Sequence, residues 1–131
     1  MKSCICGKSK SFIKCCDVFL SGKKNAKTPE QLMRSRFSAY ALGGHGEYLI
    51  STWLPASANG LVASELSKKT VDWKKLEVIS SSQQGNSGVV EFKAWFYKSP
   101  LSNELEFMHE ISEFIRIESR WYYVGGLVSD K

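Results

Sequence analysis

Between Thr28 and Ser67 apolar residues recur every three or four positions, and from Trp73 onward they alternate. The first pattern predicts helices and the second strands, because side chains three or four apart share a helix face and side chains two apart share a strand face. Thr28-Pro29-Glu30-Gln31 reads as a helix start: Thr28 can cap, Pro29 suits the first helical position, and Gln31 completes a capping box. Leu32, Met33, Phe37, Tyr40 and Ala41 then form a core-facing stripe, and Gly43-Gly44 ends the helix. A second helix is expected over about Gly46–Leu54, stopped by Pro55, and a third over about Asn59–Ser67.

Trp73–Ile79 opens the alternating half, and Gln84–Gly88 has turn composition. Val90, Phe92, Ala94 and Phe96 share one face of the next strand. After a turn at Pro100–Asn103 a strand is expected over about Glu104–Ile117, and Glu118-Ser119-Arg120 leads into Trp121–Val124. Three helices followed by four strands on short turns predict an α+β fold, an antiparallel sheet with helices packed on one face.

The 131 residues suit one ordinary domain, and a 43% hydrophobic fraction allows a real core. No apolar run approaches the ~18 residues of a membrane span, and no apolar segment follows Lys2 as a secretory signal requires. The protein is therefore expected in the cytoplasm, away from membranes, with its thiols reduced. The net charge of +5 is uneven: residues 1–36 hold nine Lys/Arg against Asp17 and Glu30, whereas residues 37–131 hold nine against eleven acids.

All four cysteines lie within the first sixteen residues, as Cys4-x-Cys6 and, after eight intervening residues, Cys15-Cys16. Two close pairs joined by a short loop suit one tetrahedral zinc ion with a structural role. Gly7 permits a tight turn that can aim backbone N–H groups at the thiolates. Disulfides, free thiols and redox chemistry are the alternatives, although adjacent Cys15 and Cys16 would make a strained bridge. Lys8, Lys10 and Lys14 form a basic patch that can offset the negative charge of a four-thiolate site, or attract nucleic acid or an acidic protein surface. Lys23, Lys24 and Lys27 extend that patch.

The stretch CICGKSKSFIKCC resembles the SEC-C motif, a zinc knuckle usually written Cys-Pro-Cys-Gly-Ser-Gly-x5-Cys-[Cys/His], with Ile5 in place of proline and Lys8-Ser9 in place of Ser-Gly. Further on, LMRSRFSAYALG (Leu32–Gly43), YLISTWLP (Tyr48–Pro55), HEISEF (His109–Phe114) and RWYYVGG (Arg120–Gly126) are similar, in the same order, to blocks of the YchJ family. That resemblance implies a knuckle over residues 1–22 and a nuclear transport factor 2-like (cystatin-like) domain over residues 23–131. Such a domain is a cone of helices packed on a curved antiparallel sheet, enclosing a pocket. It also implies a protein contact mediated or stabilised by the knuckle, a small ligand in a mostly apolar pocket, and pairing of two copies through the open sheet face. Some members carry a second knuckle after the last strand. The sequence departs from the family blocks at Ile111 and Glu113, where arginines are usual, and at Leu54, where the block has histidine.

Alternation along Glu104–Ile117 puts His109 and Glu113 on the mainly apolar face, expected to line the cone. There they could perform acid–base chemistry on a small molecule; alternatively His109 is a core residue and Glu113 a rim group. Arg34 and Arg36 are about 200° apart around the first helix. They can form an anion clamp at the pocket mouth or structural ion pairs, with Glu91 and Glu110 as candidate partners. Tyr40 and Trp53 complete the pocket set, and the four tryptophans are otherwise read as mostly core. The preferred reading is a binding or adaptor module, with a pocket enzyme and a nucleic-acid binder as rivals.

Overall fold

The computed structural model describes residues 3–69 and 71–129. After a 3-10 turn at Phe12–Lys14, α1 (Asp17–Leu20) closes the cysteine segment. Three further helices follow, α2 (Pro29–Leu42), α3 (Gly46–Ser51) and α4 (Ala63–Leu66). The strands β1 (Asp72–Gln84), β2 (Ser87–Tyr97), β3 (Leu105–Ile117) and β4 (Arg120–Ser129) make one antiparallel sheet in the order β1-β2-β3-β4. Among the described residues no helix is long and apolar enough to cross a membrane.

α2 begins as its sequence dictates. Thr28 Oγ1 accepts from Gln31 N at 3.1 Å with Pro29 at the first turn, while the Gln31 carboxamide reaches back one residue further than a capping box requires, to Lys27 N at 2.8 Å. Leu32, Met33, Phe37 and Ala41 bury against Leu76, Val90, Phe92, Ala94, Phe114 and Trp121, so the core lies between α2 and one face of the sheet. Val90, Phe92 and Ala94 do share that face, as the alternation of β2 predicts.

The later helices are shorter than expected. α3 stops at Ser51 because the next residues join the sheet: Tyr123 N donates to Thr52 O and Leu54 N to Tyr123 O, each at 2.8 Å, in a parallel bridge of Trp53 to Tyr123. Of the predicted Asn59–Ser67 helix only the Ala63–Leu66 turn forms; Gly60, at φ 89°, is outside helical space. β1 conversely runs five residues past Ile79, through a polar stretch paired to β2, and β4 runs on through Gly125 and Gly126. Two of the three hairpins, β1–β2 and β3–β4, have two-residue loops, Gly85-Asn86 and Glu118-Ser119, and in the second both residues have positive φ (51° and 69°).

The face assignment of β3 is reversed. Ala94, Phe92, Val90 and Gly88 pair with Met108, Glu110, Ser112 and Phe114, so the even positions of β3 share the core face of β2. His109 and Glu113 therefore point to the opposite face. The odd positions are the more apolar set, yet Leu105, Phe107, Ile111 and Ile117 are exposed. Register with an already committed neighbour outweighed the average hydrophobicity of the strand.

Candidate functional site

Two places concentrate chemistry. At the first, the Sγ atoms of Cys4, Cys6, Cys15 and Cys16 all lie within 4.8 Å of one another. The Cys6 and Cys15 sulfurs are 3.6 Å apart and all four cysteines are free. A tetrahedron with metal–sulfur bonds of about 2.3 Å has edges of about 3.8 Å, so the cluster fits one metal ion after small adjustment. Cys4, Cys6 and Cys16 are buried. Gly7, at φ 98°, makes the turn, but its N–H closes on the Cys4 carbonyl at 3.1 Å and not on a sulfur.

The thiols constrain each other's ionisation. Hydrogen bonds from Cys16 and then Cys6 hold Cys4 below the usual thiol value, whereas burial, followed by the bond to Cys6, pushes Cys15 up to about 12. Cys16 is raised, first by its bond to Cys4. The sulfurs share protons because four buried thiolates cannot coexist uncompensated; a divalent cation would deprotonate and hold them together.

The knuckle docks on α2. Arg34 Nη1 donates to Cys6 O at 2.6 Å, its Nε pairs with Glu30 Oε2 at 2.8 Å, and the Cys16 thiol donates to Arg34 O at 3.6 Å. Ile5 and Phe19 pack on the core of the body. Arg34 thus takes its carboxylate from its own helix, not from Glu91 or Glu110, and stands apart from the pocket. Beside this junction runs a groove of about 390 Å³ with Lys8, Lys10, Lys14, Lys24, Lys27 and Arg34 on its walls.

The second place is a mostly apolar cavity of about 180 Å³ between α2 and the sheet. Arg36, Tyr40 and Trp53 line it, and so do Glu110, expected only as a candidate partner of the arginines, and Tyr123, which the sequence does not mark as a site residue. Register with β2 was the available signal for Glu110, since Phe92 is its partner. Arg36 is 2% exposed. Its Nη1 donates to Leu49 O at 2.8 Å and Thr52 Oγ1 at 2.7 Å, and its guanidinium carbon lies 4.7 Å from the Trp53 ring centre and 4.6 Å from that of Tyr123. Burial lowers its pKa, opposed by Tyr40, Tyr123, Tyr48 and Glu110; a guanidinium stays charged nonetheless. Burial likewise raises Tyr40 and Tyr123, so both phenols remain protonated donors at neutral pH. Glu110 Oε2 accepts from Ser112 Oγ and, at 3.2 Å, from the Tyr123 hydroxyl.

His109 is elsewhere. On the outer face its Nε2 meets Glu91 Oε2 at 2.7 Å, with Nδ1 buried and unbonded, and Glu113 is exposed on the same face. Neither touches the cavity.

A helix layer on a four-stranded antiparallel sheet, with a four-cysteine cluster ahead of it, defines a nuclear transport factor 2-like domain joined to a SEC-C-type knuckle. Residues 28–126 match the family model described as YchJ, middle NTF2-like domain, and the chain belongs to the YchJ family. It is 39% identical over 127 residues to a UPF0225 protein of Sodalis glossinidius, covering 94% of this chain and 81% of that one. It is likewise 39% identical over 131 residues to one of Chromobacterium violaceum, covering 97% and 93%. Among solved structures it resembles that of a SEC-C motif containing protein from Rhodopseudomonas palustris, with a TM-score of 0.87 and 33% identity over 98% of this chain and 100% of the other.

Proposed function

We propose that this chain is a small-ligand-binding module whose N-terminal knuckle is held by one structural zinc ion, in the cytoplasm. The observation that carries the reading is the cavity itself: set between α2 and the sheet and partly open, mostly apolar, and holding a few convergent polar groups, the usual makeup of a ligand site. Zinc is preferred because four thiolates in a tetrahedral arrangement suit it and because such a site, closed by four protein ligands, is structural; iron is the competing ion for four sulfurs. Catalysis gains little support, since His109 and Glu113 lie on the outer face.

Screening a panel of single-ring compounds by N–H resonance shifts tests the pocket. Hits should converge on Tyr40, Trp53, Ala94 and Tyr123; hits scattered over the surface, or none, would sink the reading. Elemental analysis of the purified protein should give one zinc per chain, and a Cys15→Ser/Cys16→Ser variant should give none.

The basic groove favours a second reading, a protein contact in which the knuckle region docks an acidic segment. Polyglutamate should bind at low salt and compete with that partner. If a single-stranded oligonucleotide binds more tightly, with affinity falling steeply as salt rises, nucleic acid takes its place; no binding of either removes both.

A further inference from the structure

The cavity holds a buried positive charge whose needs the protein leaves unmet. Arg36 has two hydrogen-bonded partners, both neutral oxygens and both served by the same nitrogen, Nη1. Among the described residues no carboxylate pairs with it; the ion pairs of the neighbourhood join Arg34 to Glu30 and His109 to Glu91. Among the described residues Nε and Nη2 make no hydrogen bond of good geometry, although Arg36 also acts as a hydrogen-bond partner on the ionisation of Tyr40; neither nitrogen is among the sealed, unpartnered polar atoms, which are Trp95 Nε1 and His109 Nδ1. Two of the three guanidinium nitrogens are thus without a well-formed bond to a described residue, in a side chain that lines the cavity. Buried charges are ordinarily paired, because water no longer stabilises them.

The remaining walls limit what can supply the missing partner. A cavity near 150 Å³ holds benzene, so about 180 Å³ accommodates one ring with a small substituent. Trp53, Tyr123, Phe92 and Met108 offer aromatic and thioether contacts to such a ring. Glu110, the carboxylate of the cavity, is engaged through Oε2 by Ser112 and Tyr123 and lies over Gly126, where a Cβ would collide with it. It does not neutralise Arg36 directly, and it opposes a second negative charge.

We propose that the cavity selects a small monoanion, a single ring bearing one carboxylate, with the carboxylate on Arg36 Nε and Nη2. The proposal rests on the ligand-binding reading above and supplies its chemical class. A planar carboxylate matches the guanidinium fork, and the low polarity of the surroundings strengthens the pair.

Benzoate and its neutral, near-isosteric counterpart benzamide, titrated separately into the wild-type protein, test this by N–H shifts that include the Trp53 indole and the Arg36 guanidinium. Benzoate should bind at least about tenfold more tightly, the factor that 1.4 kcal/mol corresponds to, and should move the Arg36 Nε–H resonance. Glu110→Gln, which removes the competing charge, should tighten benzoate further; Arg36→Met should erase the preference while leaving the sheet resonances in place. Benzamide binding in the cavity as well as benzoate overturns the charge selection and leaves the ligand-binding reading standing. Shifts confined to Lys8, Lys10 and Lys14 also overturn the proposal, since the groove would then be the anion site. No shift at any cavity residue with either compound overturns both readings. Should Arg36→Met fail to fold, the wild-type comparison still decides.

Discussion

In the first twenty residues the buried apolar matter is Cys4, Cys6 and Cys16, flanked by Phe12, Cys15 and Leu20; between α2 and the sheet, eleven buried residues form a continuous core. The body keeps its shape by removing side chains from water, with α2 supplying one wall and β1, β2, β3 and β4 the other. The knuckle has too few such side chains to offset the entropy of ordering its chain. What it has instead is four sulfurs within 4.8 Å of one another, a cluster that could hold a metal ion; under the zinc reading proposed above, order there would follow from metal binding. Its remaining hold on the body is local: Ile5 and Phe19 on the core, Arg34 on the Cys6 carbonyl, and the Cys16 and Cys4 sulfurs on Arg34 O and Ser38 Oγ.

The largest expected break in this comparison comes from stripping the metal. Chelation should cost the knuckle on the order of 10 kcal/mol of binding free energy and collapse the resonance dispersion of residues up to about 22, while the amides of β2 and β3 keep theirs. Loss of both sets together would mean that the body depends on the knuckle. The converse break is Trp121→Ala, which empties a fully buried site and removes the indole N–H donated to Lys27 O. It should destabilise the body by about 3–5 kcal/mol, read from denaturant unfolding, with the metal stoichiometry of the folded fraction unchanged. Arg34→Ala cuts the link between the two; the expected cost is about 1–2 kcal/mol, with faster transfer of the metal to a competing chelator. An unchanged transfer rate would show that Arg34 does not hold the knuckle in place. The smallest effect sharpens the contrast: Glu118 and Ser119 adopt left-handed backbone that favours Asn and Gly. Glu118→Asn with Ser119→Gly should raise body stability by ~1 kcal/mol, measured as a higher melting temperature, and leave metal retention untouched.

Much of the fold is legible in the chain because local rules and tertiary packing agree there. Thr28-Pro29 starts α2 and Gly43 stops it; β2 alternates as it packs. The cysteine cluster is legible for the same reason, since spacing alone brings the two cysteine pairs together. The failures occur where a distant segment decides. α3 ends at Ser51 because β4 captures Thr52 and Leu54, and no residue in YLISTWLP announces a partner seventy positions away. The facing of β3 is set by β2, so a strand apolar on one side and mixed on the other was read the wrong way round, and His109 and Glu113 went to the outer face while Glu110 came in. Arg36 could be placed on a helix but not supplied with partners, because the Leu49 and Thr52 groups that hold it belong to another element.

The clip between Thr52–Leu54 and Tyr123 bears on kinetics as well as shape. It holds the backbone around Trp53, a residue of the cavity wall, through two main-chain bonds of 2.8 Å, so that part of the wall can shift only as far as those bonds loosen. Deuterium uptake at the Leu54 and Tyr123 amides would report how often that loosening happens.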